Sequence, residues 1–141
     1  MKAISIQQPW SSLIISGRKT IELRTWKLNH RGPLVILSGS GKWKGEHTHE
    51  IGPRGVILGV VDVVDCREFA RADVARTCVS ESELQRLTFE QSGPLGPKLW
   101  FSWVFENART CRNVPFKGRL GIIDLEPATL RAAGISVVIS V

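Results

Sequence analysis

Two stretches of this chain, Pro33–Ser38 and Gly55–Val64, are apolar almost throughout. Short apolar runs bounded by turn residues read as buried strands rather than helices. Pro33–Ser38 in particular demands cover on both faces, so the fold must put layers on either side of it. The remaining pattern fits around these two strands. Lys2–Gln7 alternates apolar and polar residues and predicts a short strand. Pro9 suits the first turn of a helix over Trp10–Ser16, and Gly17 suits its stop. Thr20–Trp26 predicts a strand with Ile21 and Leu23 on one face and Thr20, Glu22, Arg24 and Trp26 on the other. Gly39–Pro53 reads as a loop. Ser80 before Glu81 and Glu83 reads as a helix cap, and Gly93-Pro94-Leu95-Gly96-Pro97 as the turn that ends that helix. Leu99–Phe105 predicts an aromatic strand, Leu120–Leu125 the last core strand, and Pro127–Gly134 a short helix. Five or six strands with brief helices and no βαβ rhythm predict an α+β fold on a small barrel or curled sheet.

A length of 141 residues predicts a single domain over 1–141 that needs neither disulfide nor metal to hold it. The longest aliphatic run, Leu34-Val35-Ile36-Leu37, falls far short of a membrane span. Met1–Gln7 lacks the apolar core of a secretion signal. Cys66, Cys78 and Cys111 are odd in number and widely spaced, which predicts reduced thiols and a cytoplasmic protein. The net charge of +6 is uneven: residues 1–45 carry eight Lys/Arg against one acid, residues 46–90 five against nine, and residues 91–141 six against three. Two basic thirds flank an acidic middle, a distribution that lets one face attract phosphate.

Three motifs invite a chemical reading. Gly39-Ser40-Gly41-Lys42 is not a nucleotide-hydrolase phosphate loop, because Ile36 and Trp43 stand where a glycine and a Ser/Thr are required. Glu46-His47-Thr48-His49-Glu50 has metal-ligating residue types, but His30 is the only other histidine, so a solvated loop and no metal are expected. The third is Gln7-Gln8-Pro9-Trp10 followed, after one short helix, by Gly17-Arg18-Lys19-Thr20-Ile21-Glu22-Leu23-Arg24. A two-turn helix packed on a sheet would set Trp10 and the Lys19–Arg24 segment beside one crevice. The same residues also fit a plain surface ion pair between Glu22 and Arg24.

The pair QQPW...GRKTIELRTW resembles the signature of the ASCH domain family, which shares the PUA-like barrel of RNA-modification proteins. The resemblance continues through GPLVILSG, GVILGVVDV and LWFSWVFENAR...VPFKGRLGIIDL, leaving residues 40–52 and 66–98 as the variable parts. It implies a PUA-like β-barrel of about five or six strands with short flanking helices. It also implies a cleft holding Trp10, Lys19, Thr20, Glu22 and Arg24, with Ser38 at the end of the next strand and Phe101, Trp103 and Asn107 approaching from the other side.

Small bacterial members of that family are amidohydrolases acting on the exocyclic amine of acylated cytidine with a lysine, a threonine and a glutamate and no metal. The resemblance therefore implies a metal-independent N4-acylcytidine amidohydrolase with Lys19 catalytic. The family threonine lies three residues after the lysine, where this chain has Glu22. That leaves Glu22 as general base with Lys19 or Arg24 on the oxyanion, a Lys19 made neutral by crowding from Arg18 and Arg24 as the base, or Thr20 in a shifted assignment, with Glu90 as a candidate second carboxylate. No cofactor is expected. The alternative is a non-catalytic RNA-binding module in which Trp10 stacks a base and Lys19, Arg24, Lys42, Lys44 and Lys117 meet phosphate. A ribonuclease is disfavoured, because no histidine is placed for it. The expected partners are a modified nucleoside or RNA, with no membrane and no obligate protein partner.

Overall fold

The computed structural model describes residues 1–90 and 99–136, with backbone alone for 87–90. Its strands are β1 (Lys2–Ile6), β2 (Ile21–Arg24), β3 (Gly32–Ser38), β4 (Ile57–Glu68), β5 (Phe101–Thr110) and β6 (Ile122–Asp124). Its helices are α1 (Trp10–Ile15), α2 (Glu81–Glu90) and α3 (Pro127–Ala132). The strands form one sheet in the order β2-β5-β4-β3-β1-β6. Among the described residues only β1 and β3 are parallel, and every other neighbouring pair is antiparallel. The β1–β3 crossover carries α1 and β2, and this is what brings the Lys19–Arg24 segment back across the sheet.

The unbroken apolar run in β3 has a direct cause. Leu34 and Ile36 pack into one core with Ile4, Ile6, Ile14 and Trp103. Val35 and Leu37 pack into a second core with Ala3, Ile57, Leu130 and Ile135. Alternate side chains serve opposite layers, so no position from Leu34 to Leu37 tolerates a polar residue. The sheet curls where β4 slips register against β5 twice, between Val60 and Asp62 and between Val63 and Asp65. Such bulges bend and twist the longer strand. A Cβ on Gly59, just before the first slip, would overlap the carbonyl oxygen of Arg109.

Several boundaries differ from expectation. β4 runs on to Glu68 because its far end pairs with the start of β5, Glu68 opposite Phe101, and β5 extends to Thr110 because it pairs back as far as Gly59. The last strand is shorter than expected: β6 has three residues, among the described residues it pairs with β1 alone at the sheet edge, and its half-buried Ile122 and Ile123 pack against the two cores. Gly17 ends α1 as expected, with φ of +83° and its amide bonded to the Ile14 carbonyl. The Gln8–Pro9 peptide is cis. The turn expected at Gly93–Pro97 lies outside the described residues.

Ser80 caps α2 by accepting the Glu83 amide at 3.1 Å. Ser80→Ala is therefore expected to lower stability by about 1 kcal/mol, visible as a lower urea midpoint at unchanged slope.

Candidate functional site

Lys19 leaves α1 through the Gly17 turn, and its amide bonds the Leu13 carbonyl at 3.0 Å. The chain is thereby directed inward, and the Lys19 side chain is only 2% exposed. Its Nζ donates to the Thr77 carbonyl at 2.7 Å, stands 3.5 Å from Glu22 Oε1 and lies 5.2 Å from the Trp10 ring centre. The other carboxylate oxygen of Glu22 accepts from Arg24 Nε at 3.2 Å and Nη2 at 3.0 Å. Arg24 in turn rests against the ring of Trp103, 5.8 Å from its centre. Burial pulls the Lys19 ammonium below its ordinary value of 10.5, and the nearby Glu22 carboxylate offsets part of that. Arg18 does not crowd it, as it turns outward to Glu50 at 2.8 Å. Arg24 adds only a minor lowering.

These groups open onto a cavity of about 790 Å³, within the range of small-molecule sites. Trp10 forms one wall. Trp43 meets it edge-on at 5.5 Å between ring centres and His47 at 5.7 Å. Gln7 lines the floor and holds the loop by donating to the Lys42 carbonyl at 3.1 Å. Gln8 is buried and fixes the base of the loop, with Nε2 on the Pro53 carbonyl and Oε1 on the Ser12 amide.

Of the residues singled out from sequence, Trp10, Lys19, Glu22 and Arg24 meet at this cavity. Thr20 does not. It lies just outside β2, its Oγ1 accepts from Arg76 Nε at 2.9 Å, and its backbone is bonded to Arg76 and Phe105. Ser38 is held by the Val56 backbone and lines a smaller neighbouring cavity. Phe101 and Trp103 fall on the core face of β5, where Trp103 is fully buried and donates to the Trp26 carbonyl. They pair directly with Arg24 and Glu22 and so share their face of the sheet, but they are buried in the core, Trp103 under Arg24, and the aromatic residue of this segment that lines the cavity is Trp100, just before β5. Asn107 is four residues past Trp103, which itself pairs with Glu22, so at about 3.3 Å per residue it sits roughly 13 Å further along β5. There it donates to Asp62 at 3.1 Å. Lys42 and Lys44 are exposed on the loop beside Trp43, and Lys117 lines the smaller cavity. The Glu90 side chain lies outside those described.

The second carboxylate on the cavity wall is Glu83, paired with Arg86. That pairing holds the Glu83 carboxyl below its usual range. The Ser80–Glu83 spacing is that of a capping box, in which the Glu reaches back to the Ser amide. Here Glu46 takes the Ser80 amide at 3.2 Å, so Glu83 is left facing Arg86 and the cavity. Sequence reasoning saw the cap and missed this consequence. Among the described residues, no three His, Cys, Asp or Glu side chains converge as a metal site. Nor is any helix among them long and apolar enough to cross a membrane.

A curled six-stranded half-barrel with short helices around an open cleft is the PUA-like architecture. Within that class, residues 4–115 match the ASCH domain, and the chain belongs to the ASCH domain family. Its fold is similar to that of ASCH from Zymomonas mobilis, with a TM-score of 0.68 at 13% identity, covering 92% of this chain and 90% of that one. A point mutant of the same Zymomonas mobilis protein aligns with a TM-score of 0.66 at 14% identity, over 93% of this chain and 94% of that one. At these identities the likeness is one of fold. Activating signal cointegrator 1 from Homo sapiens is 32% identical over 80 residues, covering 45% of this chain and 14% of that protein. Its Mus musculus counterpart is 31% identical over the same length. The chain thus matches only a small part of those longer proteins.

Proposed function

We propose that the cavity binds the base of an N4-acylated cytidine and that the protein hydrolyses the acyl amide without a metal. The observation that carries this reading is the buried Lys19–Glu22 pair, 3.5 Å apart beside an indole wall and open to a nucleoside-sized cavity. A recognition pocket needs aromatic faces and amides. A desolvated carboxylate held between two cations is costly, and such groups concentrate at reactive sites.

In the proposed reaction Glu22 takes a proton from a water as its oxygen adds to the acyl carbonyl carbon. The Lys19 ammonium has three N–H groups, of which Thr77 and Glu22 engage two. The third is available to the oxyanion that forms on the carbonyl oxygen. Collapse breaks the bond from carbon to N4, the proton held by Glu22 passes to N4, and cytidine and a carboxylic acid leave. Thr20 has no part in it, since its hydroxyl is bonded to Arg76 away from the cavity. In this scheme the charged form of Lys19 works. Turnover should fall as pH rises through its pKa, so the alkaline limb of kcat/KM is expected below the ordinary lysine value of 10.5.

One observation favours a second reading, a nucleobase-recognising RNA-binding module. Lys42, Lys44, Lys117 and Arg119 are exposed, and among the described residues none of them forms an ion pair. Free cations around a cleft suit a phosphate backbone. The deciding experiment is release of cytidine from N4-acetylcytidine by purified protein with a chelator present. Release supports the hydrolase. No release across a panel of N4-acyl cytidines, with RNA binding that weakens steeply as salt rises, supports the binding module.

A further inference from the structure

The smaller cavity, about 560 Å³, adjoins the main one: Ser5, Gly39 and Gly118 line both. Its chemistry is different. The main cavity carries charges of both signs, whereas the smaller one is lined by Ser5, Ser38 and Ser40, three glycines, Pro115, Phe116 and one charged residue, Lys117, with no carboxylate among the described residues. Gly39-Ser40 comes from the loop after β3, and Lys117-Gly118 from the segment between β5 and β6. Among the described residues, the amides of Ser40, Lys117 and Gly118 donate to no backbone oxygen. Lys117 is exposed and unpaired. Ser38 is taken up by the Val56 backbone, but amides without a backbone partner on glycine-bearing loops, the Ser5 and Ser40 hydroxyls and one long-stemmed ammonium make up a donor set that recognises phosphate, and no carboxylate among the described lining residues repels it.

We infer that the smaller cavity is a phosphate subsite, so that the ligand is a nucleotide whose base enters the main cavity and whose phosphate crosses the shared Ser5–Gly39–Gly118 sill. This inference rests on the base-in-cavity reading and narrows it from nucleoside to phosphorylated nucleotide. The phosphate is either the monoester of a free nucleotide or the diester of an RNA chain.

Calorimetric titration with cytidine, cytidine 5′-phosphate, cytidine 3′-phosphate and the dinucleotide cytidylyl-cytidine separates these cases. At fixed ionic strength a phosphorylated ligand is expected to bind about 10- to 100-fold tighter than cytidine. Lys117→Ala is expected to remove most of that gain and leave cytidine affinity unchanged, and Lys117→Glu to reverse it. A gain confined to the dinucleotide assigns the site to RNA, and a gain for a mononucleotide assigns it to free nucleotides. Cytidine binding with no gain from any phosphate, or a gain that survives both substitutions, overturns the subsite alone. Failure of cytidine to bind at all overturns the base-in-cavity reading instead. The subsite would then stand only if the nucleotides still bound in a Lys117-dependent way.

Discussion

Lys19→Ala and Glu22→Ala should each lower release of cytidine from N4-acetylcytidine by at least about 100-fold, the usual cost of losing an oxyanion donor or a general base. The two effects should not add. Each residue holds the other: removing Lys19 leaves Glu22 to Arg24 alone, and removing Glu22 leaves a buried ammonium on the Thr77 carbonyl. The double variant is therefore expected to be scarcely worse than either single one. Lys19→Met, which keeps length and removes charge, separates chemistry from packing. Turnover by a folded Lys19→Met protein at more than about a tenth of the native kcat would remove Lys19 from the proposed reaction, being far above the residue expected after loss of an oxyanion donor. The alkaline limb gives an independent reading, since it should vanish in the residual activity of that variant.

Trp103→Ala is expected to cost about 3–5 kcal/mol of stability, the range for emptying a large aromatic site in a packed core. Trp103 is wholly buried, its ring centre lies 4.6 Å from that of Trp26, and its indole N–H is bonded to the Trp26 carbonyl. It also backs Arg24, so the loss should reach the site. Urea unfolding followed by circular dichroism measures the first effect, and cytidine affinity of the surviving folded protein the second. A loss below about 1 kcal/mol would mean that the Trp103 site collapses around the gap, and that β5 contributes little to holding Arg24. Trp103→Phe, which keeps a ring under Arg24, should retain affinity while losing part of the stability.

The curled sheet was legible because its information is local. Alternation in Lys2–Ile6 and the unbroken run in β3 each follow from which layers cover a strand, and β3 serves two cores. The meeting of Trp10, Lys19, Glu22 and Arg24 was legible for a related reason: one short helix and a glycine stop leave few ways to connect them. What was not legible depended on a shift of one residue or on distant partners. Thr20 and Glu22 share parity, yet Thr20 falls one residue before β2 begins and is claimed by Arg76. Phe101 and Trp103 share the face of Arg24 and Glu22 but are covered by their surroundings and belong to the core, while Trp100, just before β5, lines the cavity. Glu83 reaches the cavity only because Glu46, 37 residues earlier in number, occupies the amide it would otherwise hold. No window of sequence around Ser80 contains that fact.

The tie between Glu46 and Ser80 does not stand alone. His47 Nε2 meets the Cys78 carbonyl at 2.7 Å, and Glu50 holds Arg18 at the end of α1. Residues 46–50 are thus stitched to the segment leading into α2. One contributes the loop around Trp43, the other Glu83. For anyone seeking to re-aim this cleft, the two stretches form one exchangeable cassette. Transplanting either by itself strands the Ser80 amide or the His47 ring, whereas moving both together carries its own internal wiring onto a barrel that supplies Lys19, Glu22 and Arg24 unchanged.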